Sequence, residues 1–167
     1  LKNKFTLLDI GAADGVNNKW NIIKNKINII LVEPHKESSK KLKEKGFKVL
    51  ESVLHNENNK EIKFYNTKKP LCSSFYKPNF EYLKKFPNVE RFNIISENIF
   101  ISKCLDDEIQ DLHQPNFIKI DTEGSELDIL KGSNKTLSNV FGLEVECSFN
   151  QLREKQPLFE DVRSHLE

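Results

Sequence analysis

An α/β fold, with a mostly parallel sheet and helices on both of its faces, is what this sequence predicts. Apolar runs of strand length alternate with helix-like segments, the pattern of a parallel sheet buried on both sides. Glycine and proline stand at the joints between them. With 167 residues, 37% of them hydrophobic and 31% charged, the chain fits one domain with a core of its own, spanning residues 1–167.

Residues 5–10 read as the first strand, and 11–15 as a glycine-containing turn into a helix carrying Val16, Trp20, Ile22 and Ile23. Residues 27–32, apolar apart from Asn28, form a second strand buried on both faces. Pro34 suits the first turn of the next helix, and Gly46 its end. Residues 47–50 are the third strand. An inserted hairpin is expected over 53–65, where the turn-rich Asn56-Glu57-Asn58-Asn59 separates Val53 and Leu54 from Ile62 and Phe64. Pro70, Pro78 and Ser73-Ser74 make 67–79 a loop, followed by a short helix over 80–86 and an alternating stretch over 92–101. The fourth parallel strand is 117–121, feeding a helix over Leu127, Ile129 and Leu130 that Gly132 ends. The fifth is 140–147, and a last helix starts near Phe159 and Val162.

Composition narrows the function. With 26 basic and 25 acidic residues the net charge is +1, which lacks the basic surface a nucleic-acid binder needs. Cys72, Cys104 and Cys147 are odd in number and show no CxxC or Cys/His spacing, so neither a disulfide framework nor a structural zinc site is expected, and a cytoplasmic setting is. No apolar stretch is long enough to span a bilayer, and no signal-peptide pattern precedes the first strand. The chain contains no methionine and its first strand starts near residue 5, which reads as a product shortened at both ends.

The strongest local signal is Asp9-Ile10-Gly11-Ala12-Ala13-Asp14-Gly15, directly after the first strand. Glycines there let the backbone approach a ligand at the carboxyl edge of the sheet. The spacing is not GxGxxG, and Asp9 and Asp14 would repel a phosphate, so the turn suits a cationic amino-acid ligand better than a diphosphate. Glu33 ends the second strand, where a carboxylate can accept both hydroxyl hydrogens of an adenosine ribose. A third cluster closes the fourth strand: Lys119, Asp121, Glu123 and Glu126. Lys119 shares a strand face with Asp121. Glu144 and Glu146 share a face of the fifth strand, with Glu146 nearer the carboxyl edge and Glu144 a partner for Lys119.

Other residues carry less. His35 sits beside the ribose position and reads as a solvated helix start; His55 and His113 read as surface. Ser73, Ser74, Phe75 and Tyr76 form either a lid or a loop packed on the core. Trp20 reads as core, and the Lys-rich 36–48 as a solvated helix face.

These pieces resemble the FkbM-type methyltransferases, a branch of the class I S-adenosylmethionine-dependent enzymes. The matching segments are DIGAADG (9–15), Val32-Glu33-Pro34, Leu105-Asp106-Asp107, FIKIDTEGSELDILKG (117–132) and LEVE (143–146). The resemblance implies a Rossmann-like, doubly wound sheet binding S-adenosylmethionine. Asp9, Gly11, Ala12, Ala13, Asp14 and Gly15 would line its methionine half, with Glu33 and Pro34 at the ribose, Ser52 and Val53 near the adenine, and Asp121 beside the methyl. It also implies O-methylation of a hydroxyl on a sugar or small natural product. Asp121 and Glu123 are candidates for the base that removes the acceptor's proton, with Glu146 a further catalytic candidate. A less favoured reading has Asp121, Glu123 and Glu146 holding Mg²⁺. The resemblance implies an antiparallel hairpin past the fifth strand, and with the sequence ending at Glu167 the expectation is that it is trimmed or disordered or that the protein is a truncated relative. Two other functions share the fold: a non-catalytic partner-binding module and an NAD-dependent oxidoreductase. Retention of both the glycine turn and Glu33 disfavours the first, and the missing GxGxxG the second.

Overall fold

The computed structural model describes residues 4–167, and the first three residues of the expected domain lie outside them. β1 (Thr6–Ile10), β2 (Asn28–Val32) and β3 (Lys48–Leu50) lie side by side and parallel, joined by α1 (Asn18–Asn21) and α2 (Lys36–Glu44). An insert follows, with β4 (Val53–Leu54), β5 (Glu61–Thr67), α3 (Phe80–Leu83) and β6 (Ile94–Lys103). The chain returns through α4 (Leu105–Glu108) to β7 (Phe117–Ile120), α5 (Glu126–Lys131), α6 (Asn134–Leu137), β8 (Gly142–Val145) and α7 (Phe159–Leu166). The central sheet has the order β3-β2-β1-β7-β8, all parallel. The chain runs outward from β1 to β3 on one side and resumes at β7 on the other. The boundary between β1 and β7 is therefore the topological switch point, where open α/β sheets take ligands at the carboxyl ends of their strands.

Both faces of the sheet are covered, which is why its strands read as apolar runs. Leu8, Ile10, Ile30, Val32, Ile118 and Ile120 point to one side and pack on Leu105, Leu127, Ile129, Leu130 and Val162 of the later helices. Ile29, Leu31 and Val49 point to the other side, against Ala12 and Leu42 of α2. Gly46 closes α2 at φ +87°, as its position predicts. Pro34 does not enter that helix. It precedes the N-cap, His35, because the chain first bends so that the His35 N–H can donate to the Glu33 carboxylate.

Two further expectations change. The first helix shrinks to four residues, capped by Asn17, and Ile22 is 85% exposed. Asn17, Asn18, Asn21 and Asn25 are weak helix formers that compete for backbone hydrogen bonds, so the amphipathic pattern is not enough to extend it. Val16 packs on the α2 side of the core, and Trp20 lies against Phe117 with centroids 5.1 Å apart.

The insert is not a hairpin over 53–65. β4 pairs parallel with β6 and β5 pairs antiparallel with it, so the insert is a three-stranded sheet ordered β4-β6-β5. A two-residue strand offers almost no ladder, whereas the ten residues of β6 can pair all seven of β5. Among the described residues no helix is long and apolar enough to cross a membrane, and Cys72, Cys104 and Cys147 are free.

Candidate active site

The turn after β1 folds over the ends of two strands. Gly11 and Ala12 both donate their N–H to the Val32 carbonyl, at 3.1 and 3.3 Å, and Gly15 N–H returns to Ala12 O at 2.8 Å. Gly11 has φ +86°, and a Cβ there would lie 1.9 Å from the Asp121 carbonyl oxygen. No side chain fits, so the turn can press on the end of β7 only as glycine. Ala12 is buried, while Ala13 and Asp14 face solvent.

Glu33 ends β2 with only 3% of its surface exposed, and one carboxylate oxygen accepts from His35 N–H at 2.8 Å. Burial pushes its pKa up; the His35 hydrogen bond opposes this, and the nearby Asp14 carboxylate adds to it. Glu33, at the end of β2, thus feels the charge of Asp14 in the turn after β1. Ser52 and Val53 turn elsewhere: Ser52 Oγ donates to Glu108 of α4, and Val53 is buried in the core. Glu51, which sequence reasoning passed over, takes hydrogen bonds from Ser39 Oγ at 2.8 Å and Lys43 Nζ at 2.6 Å.

At the switch point Lys119 Nζ stands between Asp9, at 3.3 Å, and Asp121, at 3.1 Å. Burial works against the lysine charge, but the two carboxylates outweigh it and the pKa lies above its ordinary value. Asp9 is fully buried and one of its oxygens has no partner among the described residues. Burial raises its pKa against the pull of Lys119. The expected Lys119–Glu144 pair does not form. The two are opposite in register, yet Lys119 is held by the two nearer acids and Glu144 binds Lys19 instead.

Three of the expected carboxylates converge. Glu123, in the left-handed conformation at φ +60°, pairs with the guanidinium of Arg153, a residue 2% exposed. Burial still leaves the Glu123 pKa raised, with Arg153 offsetting part of the rise. Glu146 N–H donates to Ile120 O at 2.9 Å, bringing that residue to the same edge. Although Glu146 is exposed as a residue, partial desolvation of its carboxyl, together with Asp121 and Glu123, pushes its pKa up to about 7. Glu126 belongs to the scaffold. It is 5% exposed and accepts from Thr122 N, Thr122 Oγ1 and Gly124 N, which holds the turn in shape. Asp106 likewise ties α4 to α6 through Lys135 N, Thr136 N and Thr136 Oγ1. Among the described residues no group of three or more His, Cys, Asp and Glu side chains is arranged to hold a metal ion.

The 67–79 segment is pinned to this edge. Ser74 Oγ donates to Glu123 O at 2.7 Å, and Tyr76 OH donates to Asp128 at 2.6 Å. His55 is not a surface residue: it is half-buried with Nε2 3.7 Å from the same Asp128. Burial lowers its pKa against the pull of that carboxylate. His35 packs edge-on to Phe64 and Phe100, centroids 4.9 and 5.9 Å away, and burial lowers its pKa too. His113 is exposed, as expected. Arg153 had no warning in the sequence, since its partner lies 30 residues away. A cleft of about 500 Å³ opens at the opposite, amino edge of the sheet, and none of these acids lines it.

A doubly wound sheet whose switch point carries a glycine turn, a buried carboxylate ending the second strand and an acid cluster ending the fourth parallel one defines a Rossmann-like fold of the methyltransferase type. The family model described as the methyltransferase FkbM domain matches residues 9–167, and the chain belongs to that family. Comparison with curated proteins and with solved structures gives no match.

Proposed function

We propose that this chain binds S-adenosylmethionine at the carboxyl edge of β1, β2 and β7 and transfers its methyl group to the hydroxyl oxygen of a small-molecule or carbohydrate-like acceptor. The observation that carries the reading is Glu33. Its carboxylate is buried and aimed by the His35 N–H at the strand end, where a ribose diol would find its acceptor. The turn 11–15 offers backbone at close range, and the unpartnered oxygen of Asp9 suits a cationic amino-acid moiety rather than a diphosphate.

When bound, the cofactor supplies a methyl carbon on a sulfonium. In the transfer the acceptor oxygen would take the methyl carbon while the leaving pair stayed on the donor sulfur, and a carboxylate of this chain would take the acceptor's proton. The chain's part is alignment and proton removal. Asp121, Glu123 and Glu146 stand together at the edge where that proton departs.

Isothermal titration calorimetry tests the reading. Binding of S-adenosylmethionine or S-adenosylhomocysteine is expected in preference to NAD, and Glu33→Ala is expected to weaken it at least about tenfold, roughly 1.4 kcal/mol. Equal affinity for NAD overturns the assignment.

A further inference from the structure

Arg153 is buried to 2% exposure on the segment after β8. Its guanidinium donates to the carboxylate of Glu123 and, at 3.4 Å, to the carbonyl of Cys72, while its backbone bridges to Pro78. It thus joins three stretches of chain: the acid turn after β7, the 67–79 segment and the C-terminal segment. Replacing a buried ion pair by apolar groups is often neutral or stabilising, so packing alone does not call for an arginine here.

The charges around the acid cluster are unevenly distributed. Asp121 has Lys119 at 3.1 Å, and Glu123 has Arg153. Glu146 has no cation within ion-pairing distance among the described residues. What faces it is acidic: Asp121 within hydrogen-bonding reach, then Glu123 and Glu126, with the Cys147 thiol next along the chain. Glu123 is faced by Arg153 on one side and by Asp121 and Glu126 on the other.

We propose that Arg153 is a positioning residue for the transfer reaction. By pairing with Glu123 it fixes that carboxylate against the turn and leaves Glu146 as the group that takes the acceptor's proton. The inference rests on the methyl-transfer reading above and assigns a division of labour within it. Two carboxylates are fixed by cations and shape the field; the third has no cation and moves the proton. In balance, the acceptor O–H proton passes to a Glu146 carboxylate oxygen as the C–O bond forms and the C–S pair returns to sulfur.

The test is a carboxyl ¹³C NMR titration of glutamate-labelled protein, unaltered and as Arg153→Gln, Arg153→Lys and Glu123→Gln. In Arg153→Gln the Glu123 midpoint is expected to rise by about one pH unit, tenfold in proton affinity, because the opposing charge is gone. Arg153→Lys restores most of that shift. Glu123→Gln is expected to lower the Glu146 midpoint, since an anionic neighbour has been removed; this arm stands if Arg153→Gln does not fold. Unmoved midpoints in folded variants overturn the proposal, because the Arg153 charge would then not set the state of the acid cluster. Calorimetry with S-adenosylmethionine on the same samples separates the two failures. No binding by the unaltered protein overturns the methyl-transfer function and Arg153's part in it, whereas normal binding with unmoved titrations overturns only the role of Arg153.

Discussion

Gly11→Ala tests the geometry of the site most directly. The residue sits at φ +86°, where an L side chain costs about 1–2 kcal/mol. Its new Cβ would start 1.9 Å from the Asp121 carbonyl oxygen, against an ordinary carbon–oxygen contact of about 3.3 Å. Backbone must therefore shift by more than an ångström, and overpacking of that kind costs a further ~1–3 kcal/mol. Gly46→Ala is the matched control: φ is +87° and nothing lies within 4 Å of the added Cβ, so only the conformational cost applies. Urea denaturation followed by circular dichroism should then show Gly11→Ala less stable than Gly46→Ala by about 1–3 kcal/mol. The displaced turn should also weaken S-adenosylmethionine binding at least about tenfold, with Gly46→Ala unchanged. Equal stability losses in the two variants, or unchanged affinity in Gly11→Ala, would refute the close approach of the β1 turn to the end of β7.

Glu146→Gln should reveal a pH-dependent gain in stability. The folded pKa is about 7, above the ordinary carboxylate value, so folding favours the protonated acid and stability falls as pH rises from the ordinary value through about 7. The variant escapes that loss, and thermal melts should show it matching the parent near pH 4 and exceeding it at pH 8; a constant difference across that range contradicts the assignment. Lys119→Met strands the fully buried Asp9 beside Asp121 and should cost about 3–5 kcal/mol in denaturant. Pairing it with Asp9→Asn should recover part of that loss, and strict additivity of the two changes would show that the ions are not coupled. Tyr76→Phe removes the 2.6 Å hydrogen bond to Asp128 and should cost about 1.5–3 kcal/mol, with faster amide exchange around Ser74; unchanged exchange there would mean the segment is held by something else.

The parallel sheet was legible because burial on both faces writes itself as apolar runs, and the order of elements then follows the chain. Glu33 and the turn at Gly11 were legible for a related reason: both sit at strand ends, one residue past an apolar run, where a carboxylate or a glycine has few uses. What did not show was pairing between distant segments. The 53–65 hairpin failed because β6, which arrives only after the 67–79 segment and α3, offers β5 a longer ladder than β4 does. Lys119 had several acids within reach, and periodicity could not tell that Asp9 and Asp121 would hold it while Lys19 took Glu144. His55 and Arg153 were invisible because each looks solvated in its local context and is buried only by chain that arrives from elsewhere.

The chemistry of the switch point depends on where its cations end up. Lys119 and Arg153 are both withdrawn from solvent and both committed to carboxylates, so neither is free at the carboxyl edge as an anion ligand. Glu33, Asp14 and Glu146 face the same edge with no cation within ion-pairing distance among the described residues. A diphosphate placed there would meet acids without the basic groups or the glycine spacing that normally offset its charge. A ligand carrying an ammonium and a sulfonium meets the opposite field, and the same field explains why one carboxyl of the cluster keeps its proton to about pH 7. Under the proposed methyl-transfer function, cofactor preference and proton removal would both come from one charge imbalance, and adding a cation at this edge, as in Asp14→Lys, should weaken sulfonium binding and lower the Glu33 pKa together.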